Sequence, residues 1–312
     1  MVLEAIFGGK QVIKKPYLML FFGLIVSMCS NLIIYPFFKG ENAGLLAIAF
    51  ITIASMPLIH NVLLREEKAE ARVPVLCEKF FERNVELIAV YSYMTMGVIA
   101  GYAILYLVLP ESDYALACNT KSCVYLPSKG YVFGEQQKAL DYVANVAAKT
   151  GKAVDAEEAN FGEFFYWFSL IFENNFGVLV VALIMSFVFG AGAIFLISWN
   201  ASVVGTWIGQ TIMANNHFRF LGLIPHGIPE FMGYFLGAIG GALVSVAVTR
   251  KKVFTKEIER ITIDSFIIIA AAVISLLVGA AIEAGFKVGY DLFAFSLSLI
   301  YLIVLGFIVI RM

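Results

Sequence analysis

Apolar residues in this chain gather into runs of about 20, separated by shorter polar stretches. A run of that length, wound as an α-helix rising 1.5 Å per residue, covers the roughly 30 Å of a bilayer's hydrocarbon core. The pattern predicts about eight helices, over 17–37, 43–64, 87–109, 175–199, 201–214, 229–249, 263–286 and 290–310. The expected fold is therefore all-α, a polytopic transmembrane helical bundle. The fifth run is the weak one. Residues 201–214 reach only about 21 Å, so that helix is expected to be short or discontinuous.

The polar intervals divide the chain into three units. Residues 1–109 read as a three-helix membrane module carrying a densely charged segment, Arg65–Glu86, in which Glu66/Glu70 and Lys68/Arg72 stand at the i,i+4 spacing of a solvated helix. Residues 110–163 read as an extracytoplasmic loop or cap. Within it, Leu140, Val143, Ala144 and Ala147 define one helical face. Residues 164–312 form a C-terminal membrane domain, entered through an aromatic-rich belt at Phe161–Phe172.

Charge sets the expected orientation. Lys and Arg cluster at Lys10/Lys14/Lys15, in Arg65–Arg83 and in Arg250–Arg260. Placing all three in the cytoplasm leaves both termini inside, in the plasma membrane, and the 110–163 loop outside. There Cys118 and Cys123 can pair as a disulfide, whereas Cys29 and Cys77 read as free packing residues. The first apolar run lacks a small-residue cleavage site and reads as a retained helix.

Composition agrees with the pattern. The chain is 61% hydrophobic and 14% charged, with a mean hydropathy of +0.86, against about 45–50% and 25% in soluble domains. A net charge of −1 gives no case for nucleic-acid binding. The partners expected are the lipid bilayer and either other proteins or further copies of this chain.

Candidate chemistry concentrates in Leu223–Glu230, where His226, Gly227, Glu230 and two prolines, Pro225 and Pro229, interrupt an apolar region. Two prolines four residues apart suggest a helix start. If the helix has begun by Pro225, His226 and Glu230 share a face; if it begins at Pro229, they do not. Counting back from Arg250, Glu230 falls about 30 Å along the helix, near the outer boundary. His217, Arg219, His226 and Glu230 are expected to line an externally open recess. The plainest role for Glu230 is to complement the helix dipole, with His226 as its hydrogen-bond partner. The alternatives are a ligand or proton site, or a metal or catalytic dyad. Three histidines without an HExxH motif, and no Gly-x-Ser-x-Gly, make metal or hydrolase chemistry unexpected. No cofactor is implied.

Small residues also recur every fourth position: Ala201/Gly205/Gly209, then Gly233/Gly237/Gly241/Ser245, then Ala271/Ser275/Gly279, with Glu283 continuing the last stripe. Each admits a close helix, within one bundle or between copies, and Glu283 is assigned to such an interface. Asn174, Asn175 and Asn200 are read as caps of the fourth run.

Together, Phe172-Glu173-Asn174-Asn175, Phe189-Gly190-Ala191-Gly192, Asn200, Gly205, Gly209 and Pro225-His226-Gly227…Glu230 followed by the glycine ladder resemble the stage II sporulation protein M family over residues 161–252. Ala201 and Pro229 depart from its usual pattern. The resemblance implies a polytopic membrane protein, and the founding member is a scaffold of a wall-remodelling complex. The three N-terminal helices and the cysteine-bearing loop fall outside the resembling stretch and read as an added module. The expected function is a non-enzymatic scaffold or assembly factor. A transporter or channel with a site at His226/Glu230 is the alternative, and an intramembrane enzyme ranks third.

Overall fold

The computed structural model describes residues 12, 14–38, 43–70, 80–118, 123–150, 161–190, 192–216, 219–250 and 256–310. Helices dominate. They are α1 (Leu18–Phe37), α2 (Ala43–Glu70), α3 (Phe80–Val108), α4 (Lys129–Thr150), α5 (Phe161–Phe189), α6 (Ala193–Met213), α7 (Ile224–Arg250), α8 (Lys256–Lys287) and α9 (Asp291–Ile310). A hairpin of β1 (Tyr114–Cys118) and β2 (Cys123–Leu126) precedes α4, and a 3-10 turn, Arg219–Leu223, precedes α7.

Among the described residues, six of the helices are long and apolar enough to cross a membrane, through windows in α1, α2, α3, α5, α7 and α8. The apolar part of α9, Asp291–Phe307, is shorter. Helix α6 is long enough but carries Ser198, Asn200, Ser202, Thr206 and Gln210 among its apolar residues.

The expected break at Asn200 is displaced. Helix α5 ends at Phe189, and Gly190 turns the chain at φ +69°, a left-handed conformation open to glycine at little cost. Helix α6 then starts at Ala193, so it has 21 residues, about 31 Å, and is neither short nor interrupted. It ends where Asn215 takes φ +56° and the Asn216 amide bonds back to the Thr211 carbonyl.

Helix pairs lie close where glycines permit it. A Cβ at Gly205 would stand 2.5 Å from the Ile99 carbonyl oxygen of α3, and one at Gly209 would stand 2.6 Å from Tyr106 Cβ. Gly233 faces Leu276 of α8, while Gly237 and Gly241 face Leu179 and Leu183 of α5. The three stripes thus pack within one chain.

The first turns of α4 enter the bundle. Lys129, Val132, Phe133 and Gln136 are buried, and Gln136 Nε2 donates to Ser202 Oγ of α6 at 3.1 Å. Lys129 Nζ lies 2.7 Å from Glu111 Oε1 and over the Tyr106 ring. Leu140, Val143 and Ala144 continue the face of Val132 and Gln136 at helical spacing, but Val143 is 62% exposed, so the expected face is buried only in the first turns. The hairpin delivers the first turns of α4, with Gln136, against α2 and α6, while residues 141–145 further along are exposed. The β1–β2 register places the Cα of Cys118 opposite that of Cys123. Their side chains, and Cys77, lie outside the described residues.

A polar junction between α5, α7 and α8

The proline element is helical throughout. Helix α7 starts at Ile224, so Pro229 stands inside it and His226, Glu230 and Tyr234 follow one another at i,i+4 on one face. The start at Pro229 is therefore corrected. The reason lies in how the missing hydrogen bond is replaced. Pro229 has no N–H for the Pro225 carbonyl four residues earlier. Ser298 of α9 supplies a hydroxyl instead, its Oγ donating to Pro225 O at 3.3 Å. Ser275 of α8 donates to the Pro229 carbonyl at 2.9 Å and pairs with the Tyr301 hydroxyl.

The apolar window of α7 runs Phe220–Ser245, which puts Glu230 about 15 Å along it from Phe220. The window opens before the helix does, because the 3-10 turn is itself apolar.

Three helices converge on this carboxylate. Asn175 of α5, which is 7% exposed, donates its Nδ2 hydrogen to Glu230 Oε1 at 2.9 Å. Tyr234 of α7 donates its hydroxyl to Asn175 Oδ1 at 2.8 Å, and Asn174 Nδ2 reaches the same oxygen at 3.3 Å. One asparagine thus ties two turns of α7 to α5. On the other side, α8 passes with Gly279, where a Cβ would stand 2.8 Å from Glu230 Cγ. Glu283, one turn on, acts electrostatically on both Glu230 and His226. It lies 4.0 Å from Lys287 Nζ, which sits over the Trp167 ring of α5. Glu283 therefore faces the junction.

His226 is partly buried, and its Nδ1 has no hydrogen-bond partner among the described residues. Gly227 is buried on the opposite side of α7, toward α3. Asn200 does not join the junction; its Nδ2 donates to Leu196 O within α6. His217 and the Arg219 side chain lie outside the described residues, so the recess they were expected to line is not described. Among the described residues, no group of three or more His, Cys, Asp or Glu is placed to hold a metal ion.

Tyr234, Lys287, Ser298 and Trp167 were not singled out in the sequence, and Ser275 only as a member of a small-residue stripe. The i,i+4 spacing of Glu230 with Tyr234 was a usable signal. For Ser275 and Ser298 the signal was weaker: a proline inside a buried helix requires a donor from elsewhere.

The fold and the junction define a helical membrane protein with polar bonds between its spanning segments. The chain belongs to the stage II sporulation protein M family, whose model matches residues 88–286. That match is wider than the motifs suggested, taking in most of α3, the hairpin, α4 and α8. The third helix and the cysteine-bearing loop are thus part of the family's own region. No curated protein and no solved structure matches the chain.

Proposed function

We propose that this protein is a non-enzymatic scaffold or assembly factor of a membrane or cell-envelope complex. It resides in the plasma membrane with both termini in the cytoplasm. The observation that carries the reading is the direction of the polar groups at the junction. Glu230 is held by Asn175, and the Pro225 and Pro229 carbonyls by Ser298 and Ser275. These bonds join helices of the same chain, and none pairs a nucleophile with a base. Such a frame carries the charged cytoplasmic segment and the outer loop as the surfaces on which protein partners or a second copy dock. Isolation in mild detergent is expected to bring down partners in stoichiometric amount. A lone species that is active in liposomes overturns the reading.

A second reading, a transporter or channel, is supported by a different observation. His226, Glu230, Glu283 and Lys287 form a line of ionisable groups beside a helix with an internal proline, an arrangement suited to moving ions or protons. Flux in proteoliposomes that is lost in Glu230→Gln and His226→Ala supports it; flux unaffected by both counts against it.

A further inference from the structure

Helix α5 turns Asn175, Leu179, Ala182 and Ser186 toward the bundle. Of the six apolar spans it is the least enclosed, and the side opposite those residues is bare. Tyr166, Glu173, Gly177, Val180 and Ile184 lie on the bare side, all of them exposed. Four of these suit lipid. The carboxylate of Glu173 does not.

Glu173 is too deep to reach water easily. From Phe161 to Phe189 the helix is about 42 Å long, and Glu173 stands about 18 Å from its start. However a core of roughly 30 Å is set along this stretch, Glu173 lies at least about 6 Å inside it. Glutamate also lacks the long stem by which lysine and arginine snorkel outward. Within the chain nothing answers it: among the described residues, Glu173 makes no hydrogen bond or ion pair.

Two neighbours share this unfinished state. Asn174 is exposed beside Glu173; one hydrogen of its amide goes to Asn175 Oδ1, at 3.3 Å, and a second remains. Gly177 follows Glu173 by one turn, and a Cβ there would meet nothing within 4 Å. The other spanning glycines of α6 and α7 each face a helix of this chain, whereas Gly177 faces none. A glycine so placed lets a helix from outside the chain approach closely.

The spacing says which helix. Tyr166, Leu170, Glu173, Gly177, Val180 and Ile184 follow one another at alternating steps of four and three residues, the seam of a parallel coiled coil. A second copy in the same membrane has the same orientation and depth. A two-fold axis along the bilayer normal therefore sets each residue of α5 against its own counterpart. In such a seam a side chain fills a hole made by four residues of the facing helix. For Glu173 these are the partner's Leu170, the partner's Glu173, the partner's Asn174 and the partner's Gly177. The hole thus offers an amide donor and the space left by a glycine.

We propose that α5 is the interface of a parallel homodimer within the membrane, in which Glu173 of each copy accepts from the partner's Asn174 amide. One proton shared between the two carboxyls removes their repulsion at the axis. The proposal needs only that α5 spans the membrane, and it stands under either reading of function.

Cysteine crosslinking tests it. The full chain carrying Ile184→Cys, on the seam, is reconstituted at low density in phosphatidylcholine vesicles and oxidised. Wild type and Ile303→Cys, on the exposed face of α9, are treated alike. Ile184→Cys is expected to give a dimer band several-fold stronger than either. Adding Gly177→Leu fills the hole from a position that meets nothing in its own chain, so the unfolding transition should hold while the dimer band falls several-fold. Glu173→Leu should weaken the band likewise, and Glu173→Gln, which keeps an acceptor, should retain most of it. Should Gly177→Leu fail to fold, Glu173→Leu decides. A band no stronger for Ile184→Cys than for Ile303→Cys, or unmoved by the folded variants, overturns the proposal. So does a crosslinked band that holds a different protein in place of a second copy.

Discussion

Asn175 and Glu230 stand 55 residues apart in the chain and 2.9 Å apart in space, the amide of one donating to the carboxylate of the other. The same asparagine accepts from Tyr234. Replacing it with leucine strands two polar groups at once. Asn175→Leu is expected to lower stability by about 1–3 kcal/mol, read as an earlier unfolding transition in detergent. Tyr234→Phe removes one of those bonds and should cost only about 0.6 kcal/mol. Equal losses from the two variants would mean that Asn175 is not the shared tie.

Gly279 gives a steric test of the same junction. A Cβ there would stand 2.8 Å from Glu230 Cγ, so Gly279→Ala must push α8 away from α7. The expected loss is about 1–3 kcal/mol. Gly306 of α9 has nothing within 4 Å of its added Cβ. Gly306→Ala should therefore be neutral or raise stability by up to about 1 kcal/mol, through helix propensity alone. Thermal unfolding of the two variants side by side checks the contrast.

The hairpin register opposes the Cα atoms of Cys118 and Cys123. Two of the four cysteines are accordingly expected to resist alkylation in the unfolded chain until a reductant is added. Cys29, a free cysteine on an exposed position, should react at once. Full alkylation without reductant would exclude the bridge.

The buried start of α4 carries a pH signature. Burial, and then the nearby Asp113 carboxylate, hold the Tyr131 phenol above its ordinary value of 10.0. The folded state therefore favours the protonated form. Its contribution to stability is complete below pH 10 and is lost as the pH rises through the folded-state value. Tyr131→Phe should flatten the loss of stability above pH 10 while leaving neutral-pH stability little changed.

The spanning helices were legible because hydrocarbon demands one thing of a sequence, a long apolar run, and local composition answers that demand. The junction was less legible. His226 and Glu230 stood out because they interrupt an apolar run, but their partners are fixed by how helices cross. Asn175 looked like a cap because it is polar and adjoins an apolar run; it is buried because α7 lies against α5 at that height. Pro229 looked like a helix start because proline removes a hydrogen bond, and Ser298, 73 residues beyond Pro225, supplies one to the Pro225 carbonyl instead. The boundary near Asn200 was misplaced because Gly190 and Gly192 lie inside a continuously apolar stretch, where turning depends on backbone freedom and not on polarity. The apolar face of α4 was legible in its direction but not in its extent, since only its first turns meet α2 and α6.

The Pro225–Ser298 bond also has a bearing on how the chain is made. Ser298 is synthesised 73 residues after Pro225, roughly 4–15 s later at ribosomal speed. Through that interval the proline gap in α7 has no hydroxyl to fill it. The frame around Glu230 is therefore finished only once α9 has been translated, and an insertion factor that holds α7 until α9 arrives would act on this bond.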